Sequence, residues 1–212
     1  MDAALAAAAA ALVVALLARV AWLLPLLRRQ PAAARLAGAT TRVLVVLGSG
    51  GHTAEMLRLV AAVRARRAAY GPWHYVVAQS DTTSVGRLER AEPGGGYAVT
   101  RLRRAREVGQ PWLASAWTTA LALPTAVAAV HAAAPDLVLV NGPGTCVPVA
   151  AAAFLLRVLG LGSARIVFAE SFCRVTSLSL TGKLLYPVAD RFVVLWPELA
   201  ERYSRAEFME LL

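Results

Sequence analysis

Two glycine-rich segments hold the residue types that chemistry on a phosphate-bearing substrate needs. The first is Gly48-Ser49-Gly50-Gly51-His52-Thr53, which follows an unbroken apolar run and opens a helical one. Glycines let a backbone approach a ligand closely and adopt positive φ. The helix N-terminus beyond them presents unbonded amides and the positive end of a dipole, which suits phosphate. Ser49 and Thr53 can add hydroxyl donors, or Thr53 can cap the helix. His52 stands at the junction, where a ligand hydroxyl or phosphate would arrive, and histidine titrates where a general base must. The segment is not a dinucleotide fingerprint, because the third glycine of G-x-G-x-x-G would fall at Thr53, although Asp81 could be offered as the ribose ligand. Nor is it a Walker loop, since no Gly-Lys-Ser/Thr follows.

The second segment is Asn141-Gly142-Pro143-Gly144-Thr145-Cys146, again between an apolar run and a helix. Asn141 offers an amide that could bond a sugar hydroxyl or close the turn. Cys146 reads as a small buried apolar residue, with no base positioned to make it a nucleophile. A third candidate is Glu170, followed by Ser171, at the end of another apolar run. Its carboxylate could bind a sugar or serve as an acid or base, or it could pair with Arg174 or cap a helix. Arg101, Arg103, Arg104 and Arg106 cluster just ahead of Trp112 and Trp117. Arginines beside tryptophans suit a membrane-facing, lipid-facing patch, no nucleic-acid motif accompanies them, and a solvated charged face is the competing reading. His74 and His131 read as structural, and two cysteines with three histidines give no metal site.

The elements that must position these loops are legible from periodicity. Residues 43–47, 73–79, 97–102, 137–140, 165–168 and 191–195 read as strands, and residues 53–68 and 112–134 as helices, the second interrupted near Pro124. A further helix runs through Val158, and helical segments follow the last two strands. Unbroken Val/Leu/Ile strands alternating with helices predict an α/β fold, a doubly wound and mostly parallel Rossmann-like sheet. In such sheets ligands sit beyond the carboxyl ends of the strands, where all three candidate loops fall. Residues 203–212 read either as a frayed helix end or as a docking tail.

The 212 residues are 58% hydrophobic and 17% charged, too apolar for a simple soluble domain. Much of the excess lies at the start. Residues 3–18 hold no charge, Arg19 interrupts, and residues 20–27 continue the run. That length can cross a bilayer. Arg19 near one end can snorkel to the headgroups, and Trp22 suits an interfacial belt. Arg28, Arg29, Arg35 and Arg42 follow the run and only Asp2 precedes it, which favours a retained anchor over a cleaved signal peptide. The same order places the N-terminus outside and the rest in the cytosol, where Cys146 and Cys173 would stay reduced. The expected division is an anchor at 1–28, a linker at 29–42 with Pro31 and Gly38 as breakers, and a domain at 43–212.

Five segments together resemble one family: 43–59 (VLVVLGSGGHTAEMLRL), 101–112 (RLRRAREVGQPW), 136–148 (DLVLVNGPGTCVP), 170–183 (ESFCRVTSLSLTGK) and 190–197 (DRFVVLWP). The family comprises the membrane-anchor subunits of the eukaryotic bipartite UDP-N-acetylglucosamine transferase. The resemblance implies the N-terminal half of a GT-B glycosyltransferase. It implies a soluble catalytic partner subunit that carries UDP-GlcNAc, no cofactor on this chain, and a place on the endoplasmic reticulum membrane. The acceptor would be N-acetylglucosaminyl-diphosphodolichol, which receives the second GlcNAc. Gly48, Gly50, Gly51 and His52 would face its diphosphate and reacting hydroxyl, with Asn141, Gly142, Gly144 and Glu170 lining the same cleft. Members often end in a short apolar tail near a glycine that docks the partner. Here the end reads Glu207-Phe208-Met209-Glu210-Leu211-Leu212, without that glycine. The competing readings are a self-contained transferase or nucleotide-dependent enzyme using the first loop, and a scaffold whose loops are only structural.

Overall fold

Residues 43–47 are apolar at every position, which a strand tolerates only when both faces are covered. The computed structural model, which describes residues 2–27, 40–66, 69–106, 109–142 and 144–210, shows that arrangement. After α1 (Asp2–Leu23) the chain forms β1 (Thr41–Leu47), α2 (Gly51–Arg66), β2 (Tyr70–Ala78), α3 (Ser84–Ala91), β3 (Tyr97–Leu102) and α4 (Trp112–Ala133). It continues with β4 (Leu137–Asn141), α5 (Cys146–Val158), β5 (Arg165–Ala169), α6 (Leu180–Leu185), β6 (Arg191–Val194), α7 (Pro197–Arg202) and β7 (Ala206–Phe208). The strands form one sheet in the order β3-β2-β1-β4-β5-β6-β7, parallel at each pairing.

Side chains alternate across the sheet and feed two cores. Val43, Val45 and Leu47 pack with Met56 and Val60 of α2 and Leu88 of α3. Leu44 and Val46 pack on the other face with Ala126 and Val130 of α4 and with Val149, Ala153 and Leu156 of α5. The helices after β1 and β4 therefore leave toward opposite faces. The order of the sheet reverses between these two neighbours, and the gap between their loops is the crevice where open α/β sheets bind ligands.

Polar contacts pin the amino ends of the strands. Asp136 accepts hydrogen bonds from the backbone and guanidinium of Arg42, so the start of β4 is tied to β1. That hydrogen bonding holds the Asp136 carboxyl below the usual range. Arg157, at the end of α5, pairs with Asp190 at 2.7 Å, and Asp190 also accepts the amide of Ile166 in β5. Phe168 and Phe192 stack across β5 and β6 with centroids 4.8 Å apart.

The doubly wound parallel sheet expected from the sequence is therefore present, and it differs from the sequence reading in four places. Helix α4 runs through Pro124, which sits on an exposed position where its ring does not disturb the packed side. Helix α3 was not legible, because its eight residues bury only Ser84 and Leu88. The tail at 203–212 is not a frayed helix: residues 206–208 add β7 beside β6. Strand β1 begins at Thr41, inside the expected linker. The rest of that linker, from 29 to 39, lies outside the described residues, as do Leu211 and Leu212.

Among the described residues, two helical stretches are long and apolar enough to cross a membrane, Ala3–Leu23 and Leu113–Ala133. The first stands outside the core, whereas the second lies in α4 and packs partly against the sheet. Arg19 is exposed but not unpartnered. Its guanidinium donates to the carbonyls of Val158 and Arg157 at the end of α5.

Truncating Phe168 tests the described core. Phe168→Ala leaves a cavity beneath Phe192, and it should cost about 3–5 kcal/mol of unfolding free energy. A shift of the urea midpoint in detergent measures it, and Phe168→Leu should lose under half as much.

Candidate functional site

The crevice lies among the loops at the carboxyl edge of the sheet. In the first, Gly50 has φ +67°, and a Cβ added to Gly50 or Gly51 would meet nothing within 4 Å. Packing therefore does not explain Gly51, and the space over this turn is open to a ligand. The turn leads into α2, whose first amides point along the helix axis into that space. Its underside is locked. The buried Thr53 hydroxyl donates to the carbonyl of Gly48 and lies against the hydroxyl of Ser84, 2.5 Å away. Arg87 donates to the carbonyl of Gly50 at 2.6 Å. Thr53 is thus a brace and not a ligand donor, a correction to its expected role. Ser49 is exposed on the turn.

His52 leans across the crevice onto the second loop. Its Nδ1 lies 3.0 Å from Oδ1 of Asn141. The amide nitrogen of Asn141 donates to Glu55 Oε2 at 3.1 Å, which fixes the amide so that Oδ1 is the acceptor. Nδ1 is therefore the donor in this contact, and in the neutral ring the lone pair falls to Nε2. Glu55 Oε1 accepts from the Ser171 hydroxyl at 3.0 Å. The line His52–Asn141–Glu55–Ser171 joins the loops after β1, β4 and β5. Gly142 makes it possible: its φ is +75°, and a Cβ there would lie 2.3 Å from the imidazole ring. The structure thus brings His52, Asn141 and Gly142 together.

Glu170 does not join them. It is 0% exposed, and its carboxylate accepts the amides of Ser171 and Ser179. A Cβ on Gly182 would approach Glu170 Oε2 to 2.4 Å, so Gly182 makes room for this carboxylate. Glu170 shapes the loop that presents Ser171; it cannot touch a sugar, which corrects its expected role. Cys146 is buried, and burial pushes its thiol up to about 12, so it does not serve as a nucleophile near neutral pH. His74 is structural, with Nε2 on Thr100 Oγ1 at 2.7 Å.

Asp81 is likewise no ribose ligand. It is buried and accepts the amides of Thr83 and Ser84 at the start of α3. Burial alone would raise its pKa, but the hydrogen bonds from Ser84 and Thr83 outweigh burial and lower it.

The arginine cluster approaches the crevice as well. Arg101 reaches the carbonyl of Asp81, and Arg104 reaches Ser80 and the carbonyl of Arg106. A Cβ on Gly144 would lie 3.0 Å from Cβ of Arg106, so this loop runs from β3 to the loop after β4. Arg103 and Arg104, with Gln79, Ser80, Gln110 and Thr118, line an open cavity of about 520 Å³. The four arginines were expected on a membrane-facing patch; here Arg101, Arg104 and Arg106 contact crevice loops. The side chain of Trp112 lies outside the described residues.

The sequence reading missed Glu55, Arg87 and Ser84. Glu55 had a signal, since it lies three residues after His52 and so shares its helix face. The other two depended on α3.

The comparisons agree with this architecture. The family model described as "Oligosaccharide biosynthesis protein Alg14 like" matches residues 43–212. The UDP-N-acetylglucosamine transferase subunit ALG14 of Rattus norvegicus is 44% identical over 177 residues, covering 79% of this chain and 81% of the relative. That of Yarrowia lipolytica is 38% identical over 210 residues, covering 97% and 96%. Among solved structures, MurG of Acinetobacter baumannii superposes with TM-score 0.53 at 16% identity over 74% of this chain. A putative UDP-N-acetylglucosamine 2-epimerase of Listeria monocytogenes gives 0.58 at 17% identity over 78%. The chain spans 42% of the length of each of these two structures. At such identities they show the fold alone: the sheet domain matches under half of each of these GT-B neighbours.

Two measurements test the geometry. Gly142→Ala forces a side chain into the His52 ring at a left-handed backbone position, and it should cost about 1–3 kcal/mol of stability. A thermal melt and the displaced imidazole resonance would show it. Asp81 has a lowered folded pKa, so its contribution to stability is present above the unfolded value and lost as pH falls through the folded one. The stability gap between wild type and Asp81→Asn should be full at pH 7 and shrink as the pH drops below about 4.

Proposed function

The chain belongs to the Alg14-like family of oligosaccharide biosynthesis proteins, and from that premise we propose that it is the membrane-anchoring, acceptor-side subunit of a UDP-GlcNAc transferase. In this reading α1 spans the endoplasmic reticulum membrane once, with its N-terminus lumenal and the sheet domain cytosolic. The domain recruits the soluble catalytic subunit, which brings UDP-GlcNAc. It receives N-acetylglucosaminyl-diphosphodolichol in the crevice between the loops after β1 and β4. The product carries a second GlcNAc.

One observation carries the proposal: the imidazole of His52 is held by Asn141 and Glu55 with its lone-pair nitrogen available, beside an open glycine turn at a helix N-terminus. The turn and the first amides of α2 bind the acceptor diphosphate. Nε2 of His52 takes the proton of the acceptor hydroxyl as its oxygen attacks the anomeric carbon of the donor sugar and UDP departs. The ring holds that proton as imidazolium until it passes to solvent. The nearby Glu55 carboxylate, 3.7 Å from Nδ1, stabilises that charge. Stabilising the departing diphosphate falls to the partner.

Reconstitution of the full chain with its soluble partner tests this. His52→Ala should retain recruitment and lose transfer by about 10²–10⁴-fold, the usual worth of a positioned base. Unchanged transfer would remove His52 from the chemistry and favour a scaffold role. The purified chain without its partner should show no sustained transfer; if it does, the self-contained reading is correct.

A further inference from the structure

The two helical layers differ sharply in charge. On one face of the sheet, α2 carries Glu55, Arg58, Arg64 and Arg66, and α3 carries Arg87, Glu89 and Arg90. On the other face, α4 (22 residues) and α5 (13 residues) carry a single charged side chain, Arg157, which is buried against Asp190. Helix α4 is nonetheless not enclosed. Leu113 is 89% exposed, Trp117 67% and Leu121 42%, a stripe at four-residue spacing along one side of the helix. Leu155, Leu159 and Leu161 extend exposed apolar surface at the end of α5. An uncharged helical layer with exposed apolar side chains at both ends is the kind of surface that marks an interaction site.

Its occupant follows from what adjoins it. Helix α1 meets this layer at the end of α5, through Arg19 on the carbonyls of Arg157 and Val158. A guanidinium on the last carbonyls of a helix is favoured by the negative end of the helix dipole. Just beyond, Pro25 is buried and the amide of Leu26 donates to the carbonyl of Pro187. The anchor therefore touches the domain before residue 28, ahead of the expected linker. The uncharged residues 3–18 rise about 24 Å as a helix, close to the thickness of a hydrocarbon core. Arg19 then lies at the membrane boundary, and Leu159 and Leu161 lie beside it. At the opposite end of α4, Arg103 and Arg104 line the open cavity with Gln110 and Thr118, at headgroup scale and with charge suited to anionic lipid.

We propose that the outer face of α4 and the end of α5 rest on the bilayer, latched to α1 by Arg19, so that the domain lies on the membrane by a helical face rather than hanging from a flexible tether. The crevice at the carboxyl edge of the sheet is thereby held near the headgroups. This rests on the anchoring part of the proposed function and not on sugar transfer.

The test uses the full chain in phosphatidylcholine nanodiscs with or without bromine on the acyl chains. The difference in tryptophan emission between wild type and Trp117→Phe isolates Trp117, and Trp22→Phe isolates Trp22 as a reporter of α1. We expect bromine to quench both signals by at least half. Arg19→Gln should keep the Trp22 signal quenched and cut the quenching of Trp117 at least twofold. Trp22 quenched with Trp117 unaffected overturns the proposal while leaving the anchor intact. Trp117 that responds only to added soluble partner, or only to rising protein concentration, also overturns it, by assigning the face to a protein contact. Unaltered Trp117 quenching in Arg19→Gln removes the latch. None of the three variants touches the crevice, so transfer in detergent should not change.

Discussion

The structure turns on the contact of one imidazole with one glycine. His52 belongs to the first turn of α2, and Gly142 to the loop after β4; only the missing Cβ of Gly142 lets the ring cross the gap. Once across, the ring reaches Asn141, whose amide reaches Glu55, whose carboxylate reaches Ser171. Loops from three strands are thereby set relative to one another. Each of these polar groups would be costly to bury or to fix alone, and together they satisfy one another. The remaining polar braces serve this arrangement from below. Thr53 and Ser84 hold the carbonyl of Gly48, Arg87 holds that of Gly50, and Glu170 holds the loop bearing Ser171.

This division of labour explains why similar residue types have different fates. Glu55 and Glu170 both lie at the carboxyl edge of the sheet. Glu55 is at the rim and bonds the side chains that face the crevice. Glu170 is enclosed and spends its acceptors on backbone amides. Thr53 and Ser49 differ in the same way, one buried beneath the turn and one exposed on it. Proximity to a glycine loop does not separate these cases; the direction in which the next element leaves the sheet does.

The sheet was legible because its strands are apolar without alternation, a pattern that only two-sided burial produces. Its direction then placed every loop of interest on one edge. His52, Asn141 and the glycines were readable as strand-end residues. The roles of Thr53 and Glu170 were not, since burial depends on α3 and on residues 171–182, whose short elements carry weak periodicity. Pro124 misled for a related reason: a proline on the outer side of a packed helix interrupts the pattern without ending the helix. The apolar face of α4 was hidden in plain composition. Its alanines and leucines look like core until the packing shows which side is left uncovered.

The central claim is that the acceptor meets His52 in the crevice. The most direct measurement is the imidazole spectrum of the ¹⁵N-histidine-labelled full chain in nanodiscs, titrated with a short-chain GlcNAc-diphosphate lipid. The His52 ring signal should shift and saturate with the acceptor, while that of His131, on the outer side of α4, stays in place. A stationary His52 at acceptor concentrations that saturate transfer by the assembled complex would contradict the claim.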